Sequence, residues 1–262
     1  MPDQFTTTFE KLWIGFRASW CDSHDLGGAI AFSHEELKVP MLHRVVQIDV
    51  PDTRVDSMID RALAHFRERD FDCAFTLSPL DRPADLAERL KRRGFAFDLQ
   101  AVAMLCDRDV GPSDSETVEV EELDPGRYEV WATTMCRSFD FPAAVGAIGR
   151  GVLDIPEVRL YLAYVNREPA GTALLYSKYG LGCVDFIGTL PQYRRRGVAS
   201  AVTARAVADS HSMGNRWTGL EVVAGSAAER VYRRVGFRPV HNRPRYVRST
   251  GRADRDPGPF RS

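Results

Sequence analysis

The chain has 262 residues, 44% of them hydrophobic and 27% charged, and a net charge of −1. That is ordinary globular material, enough for one large domain or two small ones with a core each. The near-neutral balance argues against a general attraction to nucleic acid or to an anionic membrane, and no run nears the ~18 apolar residues of a membrane span. Five scattered cysteines without a C-x-x-C pair predict buried free thiols in a reducing, cytoplasmic setting, with neither a disulfide framework nor a zinc site. The opening MPDQFTTTFEK lacks the basic start and apolar core of a signal peptide.

Along the first half, Trp13–Trp20 reads as core packing. His24 and His34, among Asp22, Asp25, Glu35 and Glu36, read as a polar surface loop; the six histidines show no metal spacing. Leu42–Asp49 is a plausible strand. Thr53–Arg69 places Val55, Ile59, Leu63 and Phe66 on one helical face. A short strand, Cys73–Leu77, precedes a helix over Ala84–Arg93 that glycine stops, and an extended segment over Ala96–Leu105. The polar Asp107–Glu116, with Gly and Pro, reads as a linker between a domain over 1–110 and one over 117–248.

The second half is clearer. Thr117–Glu122 alternates as a strand, and Asp124-Pro-Gly opens a helix toward Arg137, with Asp as N-cap and Pro at its first position. A short helix begins at Phe141-Pro. Val158–Val165 and Ala170–Tyr179 form a hairpin about Asn166-Arg-Glu-Pro. A strand over Cys183–Gly188 is followed by a basic turn, Thr189–Gly197, and a helix over Val198–Met213. Trp217–Val223 is a strand, Ser226–Val235 a helix capped by Ser226 and stopped by Gly236, and Phe237–Val240 and Arg245–Arg248 are closing strands. The tail, residues 249–262, has a disordered composition.

A strand, a basic turn with glycine and a helix start make a device for holding phosphate. The first N–H groups of the helix are unpaired, the helix dipole favours an anion, Gly197 lets the backbone approach, and Arg194, Arg195 and Arg196 add charged donors. A repeat also stands out: Pro83–Phe95 aligns without gaps on Gly225–Phe237, each ending Gly-Phe before an extended segment. This predicts a duplicated α/β fold.

Arg194-x-x-Gly197-x-Ala199 matches the acetyl-CoA motif of the GNAT acetyltransferase superfamily, [Q/R]-x-x-G-x-[G/A], and Ala228-x-x-x-Tyr232-x-x-x-Gly236-Phe237 matches that superfamily's later A-x-x-x-Y-x-x-x-G-F segment. Residues 117–247 thus resemble a GNAT domain. The first half resembles one only through Arg93-Gly-Phe, with Leu90 in place of the tyrosine, so the chain resembles a tandem GNAT protein with a degenerate N-terminal copy. The resemblance implies two mixed, mostly antiparallel twisted sheets flanked by helices, and one acetyl-CoA site. It puts the pyrophosphate on Arg194–Ala199, including Val198, and the pantetheine arm beside Ile187, Gly188 and Thr189, with a bulge at Gly188. Many members carry Asn where Gly225 stands; Ser226 beside it either contacts CoA or only caps its helix.

Acetyl transfer to an amine also needs an acid for the departing sulfur and a base for the amine. Tyr232 suits the acid, its pKa lying near that of an alkyl thiol. Asp185 and Glu221 are the candidate bases; strand alternation puts Asp185, Ile187 and Thr189 on one face. Arg137, Phe139 and Phe141 are candidates for lining the acceptor pocket. The expected function is acetyl transfer from acetyl-CoA to a primary amine of a small molecule or peptide, without metal, nucleic acid or membrane, by a monomer more readily than a homodimer. A non-catalytic acyl-CoA sensor and acyl transfer involving aminoacyl-tRNA are the alternatives.

Overall fold

A computed structural model describes residues 2–34, 37, 39, 42–111 and 117–250. Contacts divide the chain into two units, each assembled from two pieces: Met1–Trp13 with Ala103–Val240, and Ile14–Val102 with His241–Ser262. Of the tail expected to be disordered, residues 251–262 lie outside the described residues, as do 112–116 of the linker.

In the first unit, β6 (Val118–Glu122), β7 (Val158–Val165), β8 (Glu168–Lys178) and β9 (Leu181–Thr189) form an antiparallel meander. Its tight turns are built on paired positive φ angles, at Asn166 and Arg167 and at Tyr179 and Gly180, the arrangement that matches strand twist. The chain then crosses through α6 (Val198–Ser212) to β10 (Trp217–Val223), which pairs parallel to β9. α7 (Ala227–Val235) follows.

α6 and α4 (Tyr128–Phe139) cover opposite faces of this sheet. Gly171 pairs with Thr189, and a Cβ on Gly171 would meet Val198 of α6 at 2.5 Å; a Cβ on the next residue, Gly188, would meet Ser138 of α4 at 2.7 Å. The α6 side holds a core of Tyr161, Ala173, Leu175, Val184, Val198 and Val202. The first turns of α1 (Pro2–Ala18) belong here too: Phe9 comes within 2.8 Å of where Gly219 would carry a Cβ, and Phe5 packs edge-on to Trp217.

The second unit has the same sequence of parts. β1 (Asp22–Asp25), β2 (Ile30–Ser33) and β3 (Arg44–Val46) are antiparallel, α2 (Val55–Glu68) crosses over, and β4 (Cys73–Thr76) pairs parallel to β3. α3 (Leu86–Arg92) then leads into β5 (Ala96–Cys106). The other neighbour of β4 is the end of β11 (Arg238–Arg248), in antiparallel register from Arg245↔Thr76 to Arg248↔Cys73. α2 buries Val55, Met58, Ile59, Ala62, Leu63 and Phe66 on a core shared with Phe75, Phe95 and Tyr246.

Three sequence expectations change. Phe5, Phe9, Leu12, Trp13 and Phe16 make the buried stripe of a helix that reaches far ahead of the expected Trp13–Trp20 core segment. The stretch at His24, expected to be a loop, is a hairpin whose turn Asp25 holds by accepting the Gly27 N–H at 2.7 Å. The two expected closing strands are one, because Arg238–Arg248 stays extended throughout. No helix among the described residues is long and apolar enough to cross a membrane.

Candidate active site

The site is built where β9 leaves its partner. β9 and β10 pair only at Leu181↔Trp217, Gly182↔Thr218 and Cys183↔Gly219, and both strands continue past that register. On its other side β9 is bulged. The register with β8 runs Leu174↔Asp185, then Thr172↔Gly188, so Phe186 and Ile187 together stand opposite Ala173. Phe186 takes a φ of +49°, a costly conformation for a bulky residue. Its neighbours hold it there: its N–H donates to the Asp185 carboxylate at 2.8 Å, and the Thr172 hydroxyl donates to its carbonyl at 3.0 Å.

This corrects two expectations. The bulge lies at Phe186, not at Gly188, whose missing Cβ instead admits the end of α4. The bulge also inverts the side-chain alternation. Asp185 pairs with Leu174, which points away from the α6-side core of Ala173, Leu175 and Val184, whereas Ile187 packs on that core and Thr189 faces Gly171. Asp185 therefore lies on the α4 face with Gly188, opposite Ile187 and Thr189.

Beyond β9, a 3-10 turn at Pro191–Tyr193 leads to Arg194, to Arg195 with φ +63°, and to Gly197 with φ +83°, the N-cap of α6. The helix ladder starts with the Ala201 N–H donating to the Gly197 carbonyl at 2.9 Å, so the N–H groups of Gly197, Val198, Ala199 and Ser200 precede it. Arg194, Arg195 and Arg196 are exposed and form no ion pair among the described residues; Arg196 lies over the Tyr193 ring, 5.7 Å from its centroid. Val198 is buried and locks the turn to the sheet through Gly171. The Thr189 hydroxyl is buried without a hydrogen-bond partner among the described residues. Free backbone donors, unpaired guanidinium groups and an orphaned hydroxyl fit an elongated anionic ligand such as CoA.

Tyr232 of α7 is 6% exposed, its ring edge-on to Phe237, and its hydroxyl makes no hydrogen bond among the described residues. Burial pushes its phenol well above the usual range, and the negative charge of Asp185 pushes it further. The fold thus brings Tyr232 and Asp185 within electrostatic reach of one another. Glu221, the other candidate base, is half-buried on β10, two residues past its last partner on β9. Ser226 caps α7, accepting the Glu229 N–H at 3.1 Å, and Glu229 returns a bond to the Gly225 N–H at 2.6 Å. The bond from the Gly225 N–H and the Arg233 guanidinium hold the Glu229 carboxyl below its ordinary range.

At the end of α4, Phe139 and Phe141 are half-buried and stack with ring centroids 5.3 Å apart and planes 16° apart. Phe139 lies 3.1 Å from where Gly188 would carry a Cβ. Arg137 is exposed.

Residues 156–239 match the family model of the acetyltransferase (GNAT) domain. This segment is a GNAT acetyltransferase domain. It spans β7 to the start of β11, and so holds the splayed strands, the α6 turn and Tyr232. Nothing matches among curated protein sequences. Among solved structures, a GCN5-related N-acetyltransferase from Kribbella flavida is similar over 98% of this chain and 97% of its own, at TM-score 0.72 and 18% identity. One from Sphaerobacter thermophilus is similar over 85% and 77%, at 0.66 and 17%. A tandem GNAT protein from the clavulanic acid biosynthesis pathway is similar over 86% and 79%, at 0.62 and 14%. These likenesses show a GNAT type of fold for the chain.

Proposed function

We propose that the chain transfers an acetyl group from acetyl-CoA to a primary amine of a small molecule or peptide. The observation that carries this reading is the start of α6: four N–H groups outside the helix ladder and three arginines without ion pairs among the described residues, at the end of a strand that has parted from its neighbour. Arg194–Ala199 would hold the pyrophosphate, and Ile187, Gly188 and Thr189 would offer main-chain groups to the pantetheine arm. Ser226 is spent on its helix, which favours the capping role over a CoA contact.

When bound, acetyl-CoA supplies an activated acyl group as a thioester. The chain's part is to move two protons. Asp185 accepts one from the attacking amine, and Tyr232 donates one from its hydroxyl to the departing sulfur. The two steps support one another. While Asp185 is ionised, its charge holds the phenol of Tyr232 up and keeps the proton on it. Once Asp185 is protonated that charge is gone, and the phenol becomes the stronger acid just as the sulfur needs a proton. Glu221 is the alternative base; in a pH–rate profile, removing the true base abolishes the acidic limb.

The first half of the chain is best understood as a second copy without a cofactor site. Calorimetry with acetyl-CoA and a thiol-release assay over a panel of amines test the function together. Binding and release are expected, with turnover of Tyr232→Phe lower by roughly 100-fold or more while binding persists. Binding without release from any amine would leave an acyl-CoA sensor.

A further inference from the structure

The reading above leaves the acceptor unnamed, and the α4 face of β9 carries features that constrain it. The bulge at Phe186 turns Asp185 to that face, three residues before Gly188. Because Gly188 has no side chain, the end of α4 closes on the strand, with Ser138 and Phe139 at 2.7 and 3.1 Å from the empty Cβ position. Asp140 then takes a left-handed φ of +56°, and the Phe141 N–H donates back to the Cys136 carbonyl at 2.8 Å. That reversal returns Phe141 onto Phe139 and gives the stacked pair. Asp140, between the two rings in sequence, is exposed and makes no ion pair among the described residues.

An amine that reaches Asp185 along this face has its body beside two aromatic rings that are only partly covered. Aromatic faces attract flat apolar groups and cations, and a carboxylate at the rim favours the ammonium form on approach. We infer that the Phe139–Phe141 pair selects the acceptor, which is a primary amine carried on a flat, apolar body. This rests on the acetyl-transfer reading for the use of the site, not for the ring preference itself.

The test is equilibrium binding to the CoA-saturated full chain, by calorimetry, of phenethylamine, propylamine and glucosamine. Phenethylamine is expected to bind roughly tenfold more tightly than either of the others, as one added aromatic contact gives. Phe139→Leu and Phe141→Leu, which keep an apolar side chain in place, should each remove most of that preference, with thermal melting to confirm folding. Equal binding of the three amines, or a preference that survives both substitutions, overturns the inference. Thiol release from acetyl-CoA is read separately. No release with any amine overturns the transfer reading, while the ring preference in binding still decides this inference.

Discussion

The joint between helix and closing strand occurs once in each unit. In one, α3 ends at Gly94 with φ +81° and the Phe95 N–H donates to the Leu90 carbonyl at 3.0 Å. In the other, α7 ends at Gly236 with φ +127° and the Phe237 N–H donates to the Tyr232 carbonyl at 2.9 Å. Phe95 and Phe237 are each 3% exposed. The joint is therefore architecture common to both units, and the phenol of Tyr232 is an addition to it, since Leu90 makes the same backbone bond. The starts of the crossover helices diverge further. α6 presents Arg194, Arg195 and Arg196 without ion pairs among the described residues. α2 begins among Asp52, Asp56 and Asp60, which Arg89 and Arg93 already engage. An anion has an open place at the first and a filled, acidic one at the second.

The first way to break this comparison is to shorten the chain. Ending it at Val240 removes the strand that pairs with β4, together with Tyr246, which is buried in the core of the second unit, and Arg245, which pairs with Asp98. Hydrogen exchange should show protection lost throughout residues 44–102 while residues 158–223 keep theirs.

The second concerns the helix starts. Reversing charge at the open one, with Arg194→Glu and Arg196→Glu together, should weaken acetyl-CoA binding by roughly 100-fold or more, as loss of charge-assisted bonds to phosphate predicts. Asp52→Asn should leave that affinity unchanged. Calorimetry at fixed ionic strength reads both.

Acid should separate the units. His65, 6% exposed and stacked 4.8 Å from His24, has its pKa lowered to about 4 by burial first, then by Arg69, His24 and His43. The unfolded chain binds that proton from about pH 6.5, so stability is complete above that value and falls as pH drops toward 4, by up to about 3 kcal/mol. Urea melts from pH 7.5 to 4.5 should show the loss, and His65→Gln should flatten it.

The smallest effect sharpens the comparison at the joints. Gly94→Ala should cost about 1 kcal/mol, since φ +81° is near the left-handed well, and Gly236→Ala about 2 kcal/mol, since φ +127° lies outside it. Denaturant midpoints of the two variants decide the order.

The parts that could be read from sequence are those whose cause is local. Gly197 with its arginines announced the α6 turn, Ser226 and Gly236 bracketed α7, and Asn166 marked a hairpin, because caps and turns depend on the residues that form them. The bulge was harder, since a phenylalanine at positive φ has no propensity to reveal it, and the bonds that hold it come from Asp185 and from Thr172 on another strand. α1 had its apolar spacing, yet Thr6, Thr7 and Thr8 interrupt it with a run of poor helix formers. The pairing of β11 with β4 joins Arg248 to Cys73, and no local pattern specifies a partner so distant along the chain.

That pairing has a consequence for how the protein is made. Synthesis runs from the N-terminus, so α2, β4 and α3 leave the ribosome long before residues 241–248 exist. Through most of translation β4 has one side without its final partner, the kind of bare edge that recruits chaperones or other nascent chains. A nascent chain halted anywhere before Arg245 carries that mark, and one that extends past Arg248 erases it, so closure of this unit waits on a segment made well over a hundred residues after β4.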